Sequence, residues 1–258
     1  MSWIDTAPWV TESGSPSRLQ LHYGAYILAS AAHSLIEHAS DDSHTNLGIS
    51  RGSRSLVTRD LRVGLALHLD VEPFALALRN GHTTVASHSL GGQTLDGALS
   101  WIEKTLATQG LPVSVVRREF PDFPESPLMS NGEFDTDGAV ERGRLFTWLR
   151  NADEILNLLG QSEAGMSEAR VWPHHFDLGA LISVSQGASR SIGVGFSLGD
   201  SLIPEPYFYC YPTLLPQQRL NSPNWYQAAG PPIASSPPSL LRPIFKPLSP
   251  RKTSCEPT

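Results

Sequence analysis

Cysteine is almost absent from this chain of 258 residues, and the two present, Cys210 and Cys255, cannot supply a disulfide framework or a Cys-based zinc site. A reducing compartment, the cytoplasm, is the simplest expectation. Lysine is scarce, with three residues, and the net charge is −6 with a pI near 5.8. The clustered cations that neutralise phosphates are missing, so no nucleic-acid partner is expected. No apolar run approaches the roughly 18 residues needed to cross a bilayer. Met1 to Asp5 lacks the basic and apolar regions of a signal peptide, so neither a membrane nor secretion is expected. The hydrophobic, aromatic and charged fractions of 40%, 8% and 17% exclude wholesale disorder and leave a globular body as the default.

The body is flanked by different material. Residues 213–258 carry Arg219, Arg242, Lys246, Arg251 and Lys252 against Glu256 alone, together with ten of the 21 prolines. Proline removes the backbone donor that helices and central strands need, so this basic tail reads as disordered or extended. Residues 1–16 read as an N-terminal arm, 17–110 as a first half, 111–136 as a linker with one strand, and 137–212 as a second half.

Three segments carry helical periodicity: Leu19 to His38 behind Ser17 as cap, Leu95 to Gln109 behind Thr94, and Gly138 to Leu159 with Gly160 as the stop. The period shifts toward two, with β-branched and aromatic enrichment, over 61–69, 74–78, 83–89, 113–118, 178–184, 191–198 and 207–211. Strands that come in clusters joined by short turns predict an α+β fold, antiparallel sheet packed by helices.

The two halves echo one another. His44-Thr45-Asn46-Leu47-Gly48 follows the first helix, and His175-Phe176-Asp177-Leu178-Gly179 follows the third. Val63-Gly64-Leu65 and Ile192-Gly193-Val194 come next, and then Glu72-Pro73-Phe74 and Glu205-Pro206-Tyr207. The shared order predicts two related, pseudo-duplicated halves. The second lacks its closing element, because the Pro-rich tail stands where a last strand and helix are expected. An uncovered sheet face there would favour a dimer.

The segment Val171-Trp172-Pro173-His174-His175-Phe176-Asp177-Leu178, with Gly195-Phe196-Ser197-Leu198-Gly199-Asp200 and Glu205-Pro206-Tyr207-Phe208-Tyr209, resembles a domain-of-unknown-function family of mainly bacterial soluble proteins, numbered 5996. The pattern there is Trp-Pro-x-His-Phe-Asp-Leu, then Ser-Pro-Gly-Asp, then Glu-Pro-Tyr-x-Tyr. The run Asp41 to Leu47 is similar to the start of related sequences, so the resemblance covers about 17–212. Leu198 stands where the family has Pro, and the tail after Pro212 replaces its aromatic strand and last helix. The family has no established reaction, so the resemblance implies kinship of fold and candidate positions only.

His174, His175 and Asp177 are the densest set of candidate metal ligands, since imidazole and carboxylate are what zinc, iron or manganese take from proteins. In an extended segment His175 and Asp177 share a face while His174 points away, so further ligands would come from His44, Asp41, Asp42, Asp200 or Glu205. The competing reading makes His175 a hydrogen-bonded brace and Asp177 a turn cap. Gly195-x-Ser197-x-Gly199 has nucleophile-elbow spacing, but a loop with two prolines follows where the elbow needs a helix. Gly91-Gly92 lacks phosphate-loop spacing. Tyr207, Tyr209 and Tyr211 alternate onto one face of a strand, as a pocket wall or as core.

These readings converge on a small-molecule enzyme or binder, with its partner a small ligand and a divalent metal as candidate cofactor. His175 and Asp177 are the catalytic candidates, Trp172, Asp200, Glu205 and Tyr207 the ligand-binding ones, and His174, His175 and Asp177 the metal ligands. The alternative is a non-catalytic structural or interaction domain in which the His-x-(Asn/Asp)-Leu-Gly motifs brace turns.

Overall fold

A computed structural model of the chain describes residues 15–184 and 190–214, with the side chains of 213 and 214 excepted. Thr213 and Leu214, the first residues of the expected tail, are in a strand; the rest of the tail and the missing closing element fall outside these residues, as does all but the end of the N-terminal arm.

The helix α1, Pro16–Leu35, lies in the core of the described residues. Ser15 caps it by accepting the Arg18 amide at 3.3 Å, and Pro16 takes the first position, where no amide is needed. It therefore begins ahead of the expected Ser17 cap and stops short of His38. Residues on every side of it are buried, from Leu21 through Ala32, as befits a helix enclosed all round. The helix α2, Leu95–Thr108, follows its expected cap Thr94 and buries Leu95, Ala98, Leu99, Ile102 and Leu106. The helix α3, Ala139–Ser162, runs through Gly160, the expected stop; Ser162 Oγ then donates to the Leu159 carbonyl at 2.8 Å.

The strands β1 (Gly48–Ser50), β2 (Ser55–Val57), β3 (Leu65–Asp70), β4 (Ala75–Asn80) and β5 (Thr83–Ser89) form one antiparallel sheet in chain order. A second antiparallel sheet comprises β6 (Arg170–Trp172), β7 (Asp177–Ser183), β8 (Arg190–Ser197) and β9 (Tyr207–Leu214). The fold is α+β, as expected. Three-residue β1, β2 and β6 are too short to show a period in sequence. The sheets meet edge to edge, where Leu47 and Val171 exchange both amide hydrogen bonds at 2.8 Å. Arg170, 9% exposed, reinforces the seam by donating to Asn46 Oδ1 at 3.1 Å.

The duplication is not confirmed. Its first echo is one strand out of step: His44 to Gly48 lead into the first strand of one sheet, whereas His175 to Gly179 enter the second strand of the other.

The expected strand over 113–118 is absent. This segment is instead an extended strap whose amides are taken by side chains. Val116 N–H donates to Ser34 Oγ at 2.9 Å and Arg118 N–H to Ser30 Oγ at 3.1 Å, two acceptors one turn apart on α1. Val115 N–H reaches Glu103 Oε1 at 2.7 Å. The strap continues as Phe120 and Phe123 against Tyr26, ahead of a single 3-10 turn at Pro127–Ser130. Among the described residues no helix is long and apolar enough to cross a membrane.

Replacing Ser30 and Ser34 together with Ala removes both acceptors and should cost about 1–3 kcal/mol, at about 1 kcal/mol per lost bond. Urea unfolding and amide exchange at Val116 and Arg118 check this; unchanged values for both would show that the strap is held by its aromatic residues.

Candidate functional site

The hairpin turn between β6 and β7 holds the densest sequence motif. Phe176 takes a left-handed conformation, φ 56°, and its amide closes the turn on the Trp172 carbonyl at 2.8 Å. The segment is thus a turn and not an extended strand, so the expected shared face of His175 and Asp177 does not form. Phe176 is fully buried and stacks on His22 of α1, centroids 5.0 Å apart. His22 Nε2 lies 2.6 Å from the Pro173 carbonyl, an acceptor only, so this nitrogen carries the ring proton. Burial pushes His22 down to about 3 against that hydrogen bond, with Arg18, His175 and His174 adding positive charge nearby.

Asp177 opens β7 and is 5% exposed. Its Oδ2 accepts the Tyr209 hydroxyl at 2.5 Å, while among the described residues no other residue donates to its buried Oδ1. Burial raises the Asp177 carboxyl above its ordinary value, opposed by the Tyr209 hydrogen bond and by His175. Burial and the neighbouring Asp177 push Tyr209 well above its ordinary value, so the phenol keeps its proton.

The pleat explains how β9 reaches β7 across an intervening strand. In this register Asp177 and Gly179, Gly193, Gly195 and Ser197, and Tyr207, Tyr209 and Tyr211 share one face. A Cβ on Gly195 would lie 2.2 Å from the Tyr209 ring, and one on Gly193 2.2 Å from that of Tyr211. Two tyrosines therefore lie down over bare β8 backbone, and one delivers its hydroxyl to Asp177. The expectation that the three tyrosines share a face agrees with this register.

The other candidates fall as follows. Trp172 is half-buried, in edge contact with His174, centroids 5.8 Å apart. His174 is half-buried, its ring 4.5 Å from that of exposed His175; burial and then His175 push it down to about 3, while Asp42 opposes the shift. Asp200 accepts the Leu202 and Ile203 amides through Oδ1, both at 2.8 Å, and the Tyr207 hydroxyl through Oδ2 at 2.5 Å. Glu205 is exposed on the loop before β9. Arg18, on α1, donates to the Leu198 carbonyl at 3.2 Å and acts electrostatically on Asp200, Tyr207 and Asp177.

The structure thus gathers Asp177, Asp200 and Tyr207 with Arg18, His22 and Tyr209. Arg18 and His22 were hidden because α1 reads as an apolar helix; their four-residue spacing, which puts them on one face, was the available signal. His174, His175 and Asp177 do not bring three ligand atoms within reach of one ion. Among the described residues His33, His38 and His44 do. No family model, no curated protein and no solved structure matches the chain.

His22 is neutral when folded and titrates near 6.5 when unfolded, so its contribution is complete above pH 6.5 and falls as the pH drops toward about 3. By pH 5 the loss is about 2 kcal/mol. The stability gap between the parent chain and His22→Gln should narrow by that amount from pH 7 to pH 5 in urea titrations. A constant gap would show that His22 takes up its proton as readily in the folded protein as in the unfolded chain.

Proposed function

We propose that the chain binds a small polar molecule at the Asp177 end of the second sheet, in the cytoplasm. One observation carries this reading: a carboxylate on the Tyr209 phenol has its second oxygen buried without a donor from any other described residue. Such an acceptor is costly to leave unmet, which favours a ligand bearing a hydroxyl or ammonium group. Trp172 and Tyr207 supply aromatic surface, Asp200 and Glu205 supply further acceptors, and exposed His175 is the candidate acid or base beside the carboxylate. The free thiol of Cys210 suits a reducing compartment.

A second reading has support in Asp200, two of whose bonds end on backbone amides of its own turn. There the carboxylates brace loops and the chain is a structural or interaction domain.

Asp177→Asn separates the two. If Asp177 serves a ligand, the variant should melt close to the parent and lose the thermal shifts that the parent shows with a panel of polyols, amino acids and nucleosides. If it braces, the variant should lose about 1–3 kcal/mol. A panel in which no compound shifts the parent more than the variant would overturn the binding proposal.

A further inference from the structure

Three imidazoles converge where α1 ends. His33 lies in the last turn, and the chain reverses beyond Leu35 to bring His38 and His44 back against it. Ring centroids stand 4.3 Å apart for His33 and His38, 4.7 Å for His38 and His44, and 5.3 Å for His33 and His44. One ligand atom from each residue lies within 4.8 Å of the other two. Backbone contacts hold the arrangement. His38 Nε2 donates to the His33 carbonyl at 2.8 Å, and the Ala39 amide donates to His44 Nδ1 at 3.2 Å. Asp42 and Thr45 close the loop, with the Thr45 amide on the Asp42 carbonyl at 2.9 Å.

Those contacts assign the ring protons. His44 Nδ1 accepts from Ala39, so neutral His44 carries its proton on Nε2 and gives it to His33 Nδ1 at 3.0 Å. His38, bound to a carbonyl through Nε2, keeps Nδ1 as a lone pair. A carbonyl on the far nitrogen is a support commonly found behind a metal-bound histidine. Two nitrogens on one zinc ion, each at about 2.0–2.1 Å, stand about 3–3.5 Å apart. The His33–His44 separation of 3.0 Å already falls in that range.

Access and charge agree with an ion. His44 is buried, His33 half-buried and His38 exposed, so the cluster is anchored inside and open on one side. Burial first, and the neighbouring His38 next, lower both His33 and His44, which keeps them neutral and able to ligate near pH 7. Arg118, a cation acting on both His33 and His44, is paired with Asp42 at 2.7 Å.

We propose that His33, His38 and His44 form a binding site for one divalent ion of the zinc, cobalt or nickel type, its remaining positions filled by water. An all-imidazole donor set selects these ions over magnesium and calcium, which prefer oxygen. Binding changes the tautomer of His44: the metal takes the Nε2 lone pair, and the proton moves through solvent from Nε2 to Nδ1. No proton is released from the neutral residue, but Nδ1 can then no longer accept from Ala39. Loading therefore frees the Ala39 amide, a mark that nonspecific surface binding does not leave.

The test is cobalt titration of the full chain, without an affinity tag, near pH 7.5, followed by visible absorption. The parent should take up one Co²⁺ with ligand-field bands that zinc abolishes, and Ala39 amide exchange should quicken on loading. His38→Ala removes an exposed side chain and should weaken uptake roughly tenfold or more, while His82→Ala, on the exposed turn between β4 and β5, and Asp177→Asn should not. A parent that takes up no cobalt, or His38→Ala that binds as the parent does, overturns the site. Because Asp177→Asn is the test of the small-molecule reading, failure of either proposal is seen separately.

Discussion

Two backbone hydrogen bonds between Leu47 and Val171 fix the relation of everything else. They join the open edge of one sheet to that of the other, so the two sheets share a seam, braced from the side by Arg170 on Asn46. Both clusters of polar side chains hang from it. The loop with His44 leads into Leu47, and the turn with His174 to Asp177 leaves from Val171. Displacing the seam by one residue would turn the Arg170 side chain away from Asn46, because side chains alternate along a strand. Arg170 would then lose Asn46 and keep only its ion pair with exposed Glu168, at 3.2 Å, a surface pairing worth little by itself.

The helix α1 supplies the second constraint. It is buried along most of its length, and its polar residues are placed where other segments need them: Arg18 at the Leu198 carbonyl, His22 at Pro173, Ser30 and Ser34 at the strap, His33 at the end. Each meets a backbone group or a side chain of another element. A helix buried on all sides tolerates polar groups only when they are paired in this way, and those pairings orient the turn and the strap around it.

The fold was largely legible in the sequence, and the site only in part. Long periodic segments such as α2 declare themselves because burial selects a period. The strap does not, since a run rich in valine and arginine looks the same whether its amides meet a neighbouring strand or two serines on a helix. The motif around Asp177 was visible as a density of chemical residues, but its partner Tyr209 depended on register, which no local pattern contains. The imidazole cluster was less visible still. His33 and His44 are 11 residues apart, and only the reversal after Leu35 makes neighbours of them.

The tyrosines lying across β8 tie sequence positions together. Gly195 has no side chain because Tyr209 occupies that space, and Tyr209 reaches Asp177 because Gly195 leaves the path open. Change at any one of the three therefore alters what the others permit. Among relatives of this chain, Gly195, Tyr209 and Asp177 should be kept together or lost together, and Gly193 with Tyr211 should form a second linked pair. That covariation would distinguish descent with this sheet intact from a likeness confined to the turn motif.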